Sequence, residues 1–441
     1  YRNLKTAGSN GAFGYNFEGG LQEYILLDER VVLDQETKER YLMPVTEDLS
    51  ASAIALVEPW ACVEDSYVNI ERTTSKAGRQ LVADSGRLIS ELDKAFSPDG
   101  PPAQITAICA DEAQTIALDS FGIEVEEVNH IDDLPNEGFD DIVYFGNNPR
   151  AVEGFSDKLA KKGIVCLVLG GQKLGRPVNI GVGRVHYGFT RWIGTTGDNA
   201  ADGYAVIPTT DEVRDNDRIL ISGAGGPMGQ MHYIRNICSG KKNISLDDAR
   251  LASLRDKASG VAEANGVQIA VANAKNDKIE DGFTYIGLMV PVPALLVDAI
   301  NKAGDGCMIN IFAGIPAPVK HDIDMDRIIE KRIFMFGTSG STIRDMQIVY
   351  SKVEKGQLDT DISVDAISGM AGAIEGIAAV ENRIMSGKIL VYPDLHEVGL
   401  IPLHDLKDHF PTVAAKLTNG KWNREAEKEL LKVAASLLDC P

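Results

Sequence analysis

Residues 218–250 combine an apolar stretch, closely spaced glycines and a helical segment. Ile219–Ile221 predict a buried strand, and Gly223, Gly225, Gly226 and Gly229 let the backbone turn sharply before a helix whose free N–H groups suit a pyrophosphate. The spacing Gly223-x-x-Gly226-x-x-Gly229 is longer than G-x-G-x-x-G, so a tight structural turn is the alternative. The order of strand, glycines, helix and second strand favours a nucleotide-binding loop.

The predicted cofactor site extends past this turn, because an acid that binds ribose is expected at the end of the second strand. Ser245 stands at the usual place, and Asp247 and Asp248 follow. Carboxylates disfavour a 2′-phosphate, whereas Arg250 would attract one, so we expect NAD, with NADP as the alternative. The predicted cofactor-binding residues are Gly223, Ala224, Gly225, Gly226, Pro227, Met228, Gly229, Ser245, Asp247, Arg250, Gly314 and Thr338.

Alternating apolar strands and amphipathic helices occur twice, in residues 79–197 and 218–340. KKGIVCLVLGG matches GDGCMINIFAG, and YGFTRWIGTTG matches KRIFMFGTSGS, which indicates a duplication. We therefore predict an α/β protein with two tandem Rossmann-like domains, each a doubly wound parallel sheet. The first copy has only Gly86 at its turn, so we expect it to be structural and to pair subunits of a homo-oligomer, with Trp192 and Phe189 packing on the second copy or on a partner chain.

Composition limits the class of protein. The chain has 441 residues, 44% of them hydrophobic, and a formal net charge of −20 without a basic cluster, which argues against nucleic acid and membranes as partners. The six cysteines lack C-x-x-C spacing and are interpreted as buried thiols in a reducing cytoplasm. We expect a cytoplasmic protein that acts on a small-molecule substrate.

Three segments carry a family resemblance: FGYNFEGGLQEYILLDERVV, VEPWACV and MSGKILVYP. They resemble zinc-dependent medium-chain dehydrogenases and reductases, in the sorbitol- and threonine-dehydrogenase-like, sugar-phosphate-reductase-like branch. The resemblance implies a partial GroES-like β domain in addition to the Rossmann-like domains. Branched and aromatic residues at 21–27 and 31–33 predict strands there.

The predicted domains are residues 1–75 (catalytic, GroES-like), 76–205 (degenerate Rossmann-like), 206–345 (NAD(P)-binding) and 346–441 (a return to the catalytic domain plus a C-terminal helix). The break between the first and last of these follows from the resemblance, in which the nucleotide-binding part interrupts the catalytic domain.

The resemblance places Glu58 beside a catalytic zinc, as a metal ligand or a neighbour of one; the alternative is a surface glutamate ahead of Pro59. The cysteine and the His-Glu pair that supply the family's other ligands have no match, and are expected before Tyr1. His232, in the helix after the glycine turn, either lies near the cofactor as a catalytic residue or packs inside the protein. His186 and Tyr187, between the two copies, either line the cleft or end a strand.

These features predict a zinc-dependent oxidoreductase that transfers a hydride between NAD(P) and a secondary alcohol or ketone of a polyol, sugar or sugar phosphate. One alternative is a redox-silent epimerase or lyase with tightly held NAD. The other is a metal-free scaffold protein without catalysis.

Overall fold

The computed structural model describes residues 13, 14 and 17–438. The strands are β1 (Arg79–Asp84), β2 (Gln104–Ile108), β3 (Val125–Glu127), β4 (Phe139–Phe145), β5 (Leu159–Val168), β6 (Val178–Ile180), β7 (Arg191–Thr195), β8 (Arg218–Ser222), β9 (Asn243–Asp247), β10 (Ile269–Ala272), β11 (Phe283–Leu288), β12 (Ala303–Ile311), β13 (His321–Ile323), β14 (Phe334–Phe336), β15 (Val364–Ser368), β16 (Lys388–Val391) and β17 (Ile401–Pro402).

The α-helices are α1 (Glu29–Val32), α2 (Ala51–Ala55), α3 (Val57–Val68), α4 (Glu112–Asp119), α5 (Pro149–Lys158), α6 (Val182–Tyr187), α7 (Ala200–Tyr204), α8 (Pro227–Cys238), α9 (Leu251–Ala264), α10 (Pro293–Lys302), α11 (Met325–Glu330), α12 (Ile343–Glu354), α13 (Ala373–Glu381), α14 (Leu406–His409), α15 (Pro411–Ala414) and α16 (Arg424–Leu438). Short 3-10 helices are Leu92–Ala95, Ile131–Asp133, Thr360–Ser363, Met370–Gly372 and Leu403–Asp405.

The chain forms two compact units. The terminal unit comprises Tyr1–Asp65, Gly225–Ser239 and Gly340–Pro441, and the double-sheet unit comprises Ser66–Ala224 and Gly240–Ser339. The described part of the terminal unit contains helices and a three-stranded sheet of order β16-β15-β17. Its GroES-like identity stays a prediction, as do the predicted domain boundaries.

The double-sheet unit contains two six-stranded sheets, β3-β2-β1-β4-β5-β7 and β10-β9-β8-β11-β12-β14, whose neighbouring strands are all parallel. Both have the strand order third, second, first, fourth, fifth, sixth, which is that of dinucleotide-binding sheets. The central strands are almost wholly buried, in agreement with their continuous apolar sequences. The α/β class with parallel sheets of Rossmann type is thereby confirmed.

A short antiparallel pair joins the two copies. Strand β6 pairs with β13 so that Val178 faces Ile323, Asn179 faces Asp322 and Ile180 faces His321. In each copy the strand comes after the fifth sheet strand and before a helix and the sixth, so the pair has the symmetry of a local two-fold axis. Each copy therefore meets the other through equivalent residues, within one chain.

One hydrophobic core extends through both copies. Trp192, of which 1% is exposed, belongs to the same buried cluster as Ile180 of the first copy and Ile323 and Met325 of the second. For Trp192 this agrees with packing on the second copy, one of the two alternatives derived from the sequence. The homo-oligomer stays a prediction.

The predicted strands at 21–27 and 31–33 are wrong. Residues 29–32 form the short helix α1, in which the side chain of Asp28 accepts the Arg30 N–H, and residues 21–27 belong to none of the strands. Tyr24 and Leu26 are 83% and 86% exposed. Branched and aromatic residues favour strands only where a neighbouring strand and a core cover them, and this segment has neither.

In the first copy, the amphipathic segment SGRLISELDKAF predicts a helix over residues 85–96, and this prediction is also wrong, since only the 3-10 helix Leu92–Ala95 forms there. Side chains take the backbone groups that a helix would use. Asp84 Oδ1 accepts the Gly86 N–H at 2.7 Å, and the Gln114 amide accepts the Ile89 N–H at 2.9 Å while donating to the Arg87 carbonyl at 3.0 Å. Such bonds compete with the helical hydrogen-bond pattern.

The thiol interpretation is correct only in part. Cys166 and Cys307 are buried, Cys62 and Cys109 are half-buried, and Cys238 is exposed at the end of α8. Cys440 lies outside the described residues.

Among the described helices, none is both long and apolar enough to cross a bilayer.

The close fit of the two copies gives a test. A Cβ at Gly183 would lie 2.0 Å from the Pro316 carbonyl oxygen of the second copy, whereas a Cβ at Gly181 would meet its nearest atom at 3.7 Å. We expect Gly183→Ala to lower the free energy of unfolding by about 3 kcal/mol and Gly181→Ala by less than about 1 kcal/mol, measured by urea denaturation. Equal losses in the two variants would contradict the described contact.

Candidate functional site

The first part of the candidate site is the turn after β8, at the carboxyl edge of the second sheet. Gly223 has a φ of +81°, and a Cβ there would lie 2.5 Å from Val290 Cγ2. The N–H groups of Gly223 and Ala224 donate to the Asp247 carbonyl at 2.8 and 3.1 Å. Both the backbone conformation and the surrounding space therefore require glycine at position 223.

The acid at the end of the second strand is Asp247, the last residue of β9. Its Oδ1 accepts the Ala274 N–H at 2.8 Å, and its Oδ2 accepts the Ser222 hydroxyl at 3.1 Å. Ser245 lies in the middle of the strand, paired with Leu220 on one side. The sequence predicts this strand over residues 243–246, and it continues one residue further, so that an acid stands at its end.

Arg250 is engaged by a neighbouring acid. Its Nε and Nη2 donate to the two oxygens of Asp248 at 2.9 and 3.0 Å. Hydrogen bonding and the charge of Asp248 raise the pKa of Arg250, so the guanidinium stays charged and paired. A paired guanidinium has fewer donors to offer a 2′-phosphate.

Two further predicted residues follow the fifth and sixth sheet strands. Gly314 lies three residues after β12, where a Cβ would come within 2.5 Å of the Tyr187 hydroxyl. Thr338 lies two residues after β14 and is 1% exposed, and its Oγ1 has no hydrogen-bond partner in the described part of the chain. A buried hydroxyl without a partner is a group that a polar ligand would satisfy.

The rest of the glycine turn belongs to the terminal unit. Gly226 is the N-cap of α8, with φ −83° and ψ 166°, and Pro227 begins the helix. Met228 follows, and its Sδ accepts a hydrogen bond from the Lys388 ammonium at 3.7 Å. The Gln230 amide donates to the Gly225 carbonyl at 3.3 Å and to the Ser386 carbonyl at 2.7 Å. Residues 229–237 are all buried, so α8 is enclosed from its first turn almost to its end.

His232 lies on this enclosed helix and is fully buried. Burial, with a smaller contribution from the charge of Arg235, lowers its pKa to about 3. The imidazole is therefore neutral at physiological pH. This environment favours the packed histidine over the cofactor neighbour.

Glu58 stands exposed in the first turn of α3, where Pro59 is tolerated because early helical N–H groups need no partner. Its Oε1 accepts hydrogen bonds from the Cys62 thiol and the Ser341 hydroxyl, both at 3.4 Å. Burial, followed by the charge of Glu58, raises the pKa of Cys62 to about 12. Burial lowers the pKa of the Lys388 ammonium, while Cys62 and Glu58 partly oppose this shift.

The described residues do not make a zinc site. They contain no group of three or more histidine, cysteine, aspartate or glutamate side chains that could hold a metal ion. A catalytic zinc takes three protein ligands, and Glu58 with Cys62 would supply two.

The corresponding edge of the first sheet is filled by the protein's own side chains. Asp84 ends β1, and its carboxylate accepts the N–H groups of Gly86 and Ala110 at 2.7 and 3.0 Å. The Arg87 guanidinium contacts the Leu169 carbonyl and Asp198. A carboxylate holds the N–H groups that an anion would use, and a regular helix does not follow, so this edge is unsuited to a pyrophosphate.

A separate cleft of about 680 Å³ lies between the amino half of β12 and the carboxyl end of β7, where residues 194–196 line it. Its lining includes Arg214, which already pairs with Asp217 and donates to the Thr284 and Gly306 carbonyls. Neither Gly223 nor Asp247 lines this cleft, so it is separate from the candidate site at the second sheet.

No family model matches the chain. A curated relative, the uncharacterized protein YggP of Escherichia coli strain K12, is 27% identical over 245 residues, which are 50% of this chain and 57% of the relative. The chain thus spans little more than half the length of that protein.

Similar solved structures include a zinc- and cobalt-bound alcohol dehydrogenase from Pyrobaculum aerophilum (14% identity, TM-score 0.33, covering 41% of this chain and 51% of that one). A second example is L-idonate 5-dehydrogenase from Escherichia coli (16% identity, TM-score 0.34, covering 40% of this chain and 50% of that one). A third is 2R,3R-butanediol dehydrogenase from Bacillus subtilis (19% identity, TM-score 0.35, covering 41% of this chain and 52% of that one). The chain spans about half of each structure. TM-scores this low show a resemblance and support no statement about function.

The sequence reasoning missed the contacts that hold the predicted residues. Ser222 and Ala274 fix the Asp247 carboxylate, and Lys388 lies near Glu58. The sequence could have indicated Lys388, because this residue lies within the MSGKILVYP segment that carries the family resemblance. The sequence gives no indication of Ala274, because its contact is made by the backbone N–H and not by the side chain.

The burial of His232 predicts a pH dependence. Its folded pKa of about 3 lies below the ordinary value of 6.5, so at acidic pH the unfolded chain binds a proton that the folded chain does not. Stability from this residue is complete above the ordinary value and is lost as the pH falls, by about 1.4 kcal/mol per unit. Between about pH 7 and pH 5 the loss is about 2 kcal/mol.

Urea unfolding of the protein and of His232→Gln over this pH range would measure the difference. The substituted protein should show a pH dependence of stability that is smaller by that amount. Parallel curves for the protein and His232→Gln would contradict the neutral, buried state of His232.

Proposed function

We propose that the chain is an NAD(P)-dependent oxidoreductase that transfers a hydride between the cofactor and a secondary alcohol or ketone of a polyol, sugar or sugar phosphate. One observation carries the cofactor part: Asp247 ends the second strand directly beside the Gly223 turn, in a sheet of dinucleotide-binding order. The acid suits a ribose hydroxyl pair, and the turn admits a pyrophosphate. The substrate class follows the resemblance in sequence rather than a substrate pocket.

The charges beside β9 favour NAD over NADP within this proposal. The carboxylate of Asp247 would repel a 2′-phosphate, and Asp248 already occupies the guanidinium of Arg250. The Ser222 and Ala274 donors hold the Asp247 carboxylate in place, so the ribose would meet a fixed acceptor.

The first copy takes no cofactor in this proposal. Asp84 and Arg87 fill the positions that a pyrophosphate would need, and both would have to move before an anion could bind. We therefore propose one NAD(H) per chain, held at the second sheet.

The bound cofactor would supply the hydride acceptor, and the chain's own residues would hold and orient it. Oxidation moves a hydride from the carbinol carbon to the nicotinamide, and the hydroxyl proton leaves to a base or to water. The turn that begins at Gly223 would face the pyrophosphate, Asp247 would accept from the ribose, and Thr338 would offer its unpartnered hydroxyl to the nicotinamide half.

Turnover tests this proposal directly. Absorbance of NADH would follow the oxidation of polyols, sugars and sugar phosphates, with calorimetry for the number of NAD(H) bound. We expect turnover with at least one secondary alcohol and one mole of NAD(H) per chain. Absence of NAD(H) and NADP(H) binding to the whole chain would overturn the proposal, and two moles per chain would overturn the single site.

The glycine turn gives a sharper test. The φ of −83° and ψ of 166° at Gly226 are open to any residue, so Gly226→Val strains no backbone angle, and its side chain would stand where the pyrophosphate is proposed to bind. Thermal unfolding of the variant monitors the fold. We expect NADH binding, measured by fluorescence, to weaken by a factor of at least about 100, as for the loss of several phosphate hydrogen bonds.

Gly399→Val is the matched control for this variant, because a Cβ at Gly399 meets nothing within 4 Å. It should bind NADH as the unsubstituted protein does. Undiminished binding by Gly226→Val would remove the turn from the cofactor site.

The metal role of Glu58 stays a proposal, supported by its position against the Cys62 thiol. If Glu58 lies beside a zinc, Glu58→Ala should weaken zinc retention by about 10- to 100-fold, measured by metal analysis after competition with a chelator. Glu354→Ala, at an exposed glutamate of the same unit, is the control. Equal zinc content in both variants would make Glu58 a surface residue.

A further inference from the structure

A helix of the first copy lies at the carboxyl edge of the second sheet. His186, in α6, donates from Nδ1 to the carbonyl of Ile311, the last residue of β12, at 3.0 Å. A Cβ at Gly337, directly after β14, would lie 3.0 Å from the Cα of His186. The Gly183 N–H donates to the Val319 carbonyl at 3.1 Å. These contacts fix α6 against the ends of the fifth and sixth strands.

The last residue of this helix is Tyr187, whose side chain remains accessible. Its ring meets the His186 imidazole edge to face, with centroids 4.6 Å apart and an interplanar angle of 89°. Its hydroxyl lies so close to Gly314 that a Cβ there would be 2.5 Å away. The side chain is nevertheless 44% exposed. Tyr187 is therefore an oriented aromatic ring with a free surface beside the end of β12.

The ring of Tyr187 lies on the side of the second sheet where the nicotinamide half of a bound dinucleotide is expected. A dinucleotide lies across the strand ends, with its pyrophosphate at the first strand and its adenosine ribose at the second. Asp247 ends that second strand, so the nicotinamide half must extend the other way, over β11 and β12. The ends of β9 and β12 are three strand spacings apart, about 14 Å.

We propose that Tyr187 forms one wall of the nicotinamide half of the cofactor site, so that the first copy supplies an aromatic contact to the cofactor of the second. This inference rests on the proposed NAD(H) site and names a residue that contacts its nicotinamide end. Planar aromatic surfaces pack well against a flat heteroaromatic ring.

The equivalent position in the other copy carries no aromatic side chain. Aligning Gly194 with Gly337 places Glu330, the last residue of α11, at the position of Tyr187. Glu330 forms an ion pair with Lys173 near the first sheet, and Asp326 of the same helix accepts the N–H groups of Leu174 and Gly175, each at 2.8 Å. An aromatic ring thus lies at the carboxyl edge of the second sheet, and a carboxylate stands at the equivalent position beside the first.

Binding of two probes to the whole chain tests the inference. NADH carries the nicotinamide, and ADP-ribose lacks it but keeps the ribose and pyrophosphate. We expect Tyr187→Ala to weaken NADH binding about tenfold and to change ADP-ribose binding by less than about twofold, by fluorescence and calorimetry. Tyr187→Phe keeps the ring and should bind both probes as the unsubstituted protein does.

Tyr24→Ala, at an aromatic residue that is 83% exposed in the terminal unit, is the matched control and should change neither constant. Thermal unfolding of each variant monitors the fold, and Tyr187→Leu carries the same comparison if Tyr187→Ala unfolds at a lower temperature. Unchanged NADH binding, or equal weakening of both probes, would overturn the role of Tyr187. If the unsubstituted chain binds neither probe, the proposed cofactor site itself fails, and this inference fails with it.

Discussion

The antiparallel pairing of β6 with β13 is the contact on which the double-sheet unit depends. It joins three residues from each copy in a register centred on Asn179 and Asp322. Because equivalent strands meet, each copy presents the same elements to the other, as the two subunits of a symmetric dimer do. The apolar residues around the pair, among them Trp192 and Met325, complete one continuous core. The edge strands β7 and β14 also contact each other there, so the two copies share one core.

Symmetry of the backbone leaves the two nucleotide edges free to differ in side chains. At the first sheet, Asp84 captures backbone N–H groups and Arg87 fills the space beyond them. At the second sheet, the Asp247 carboxylate is held by Ser222 and Ala274, and the N–H groups of Gly223 and Ala224 donate to its backbone carbonyl. The first copy shares a hydrophobic core with the second, so its removal would expose apolar residues of the second whether or not it binds a ligand.

The sequence was most informative where the apolar pattern is longest. Most strands of both sheets were predicted because buried parallel strands are apolar along their whole length. Strands β3 and β10 were not predicted, and their residues are exposed or half-buried. The helix expected at 85–96 failed because the Asp84 and Gln114 side chains bond to nearby backbone groups, which the apolar pattern does not reveal. The predicted strands near residue 24 failed for a different reason: strand propensity needs a neighbouring strand, and tertiary contacts are absent from the local pattern.

The candidate site divides in the same way. The glycine turn was predictable from residue type, but the reason for each glycine was not. Gly223 needs its positive φ and its lack of a Cβ, whereas Gly226 has a φ open to any residue. The backbone angles at position 226 therefore do not explain why glycine stands there, and its lack of a side chain beside the N-terminus of α8 is the remaining property of the residue. An anion that approached the free N–H groups of that N-terminus would need this lack of a side chain, whereas the glycine at position 223 is required by the turn itself.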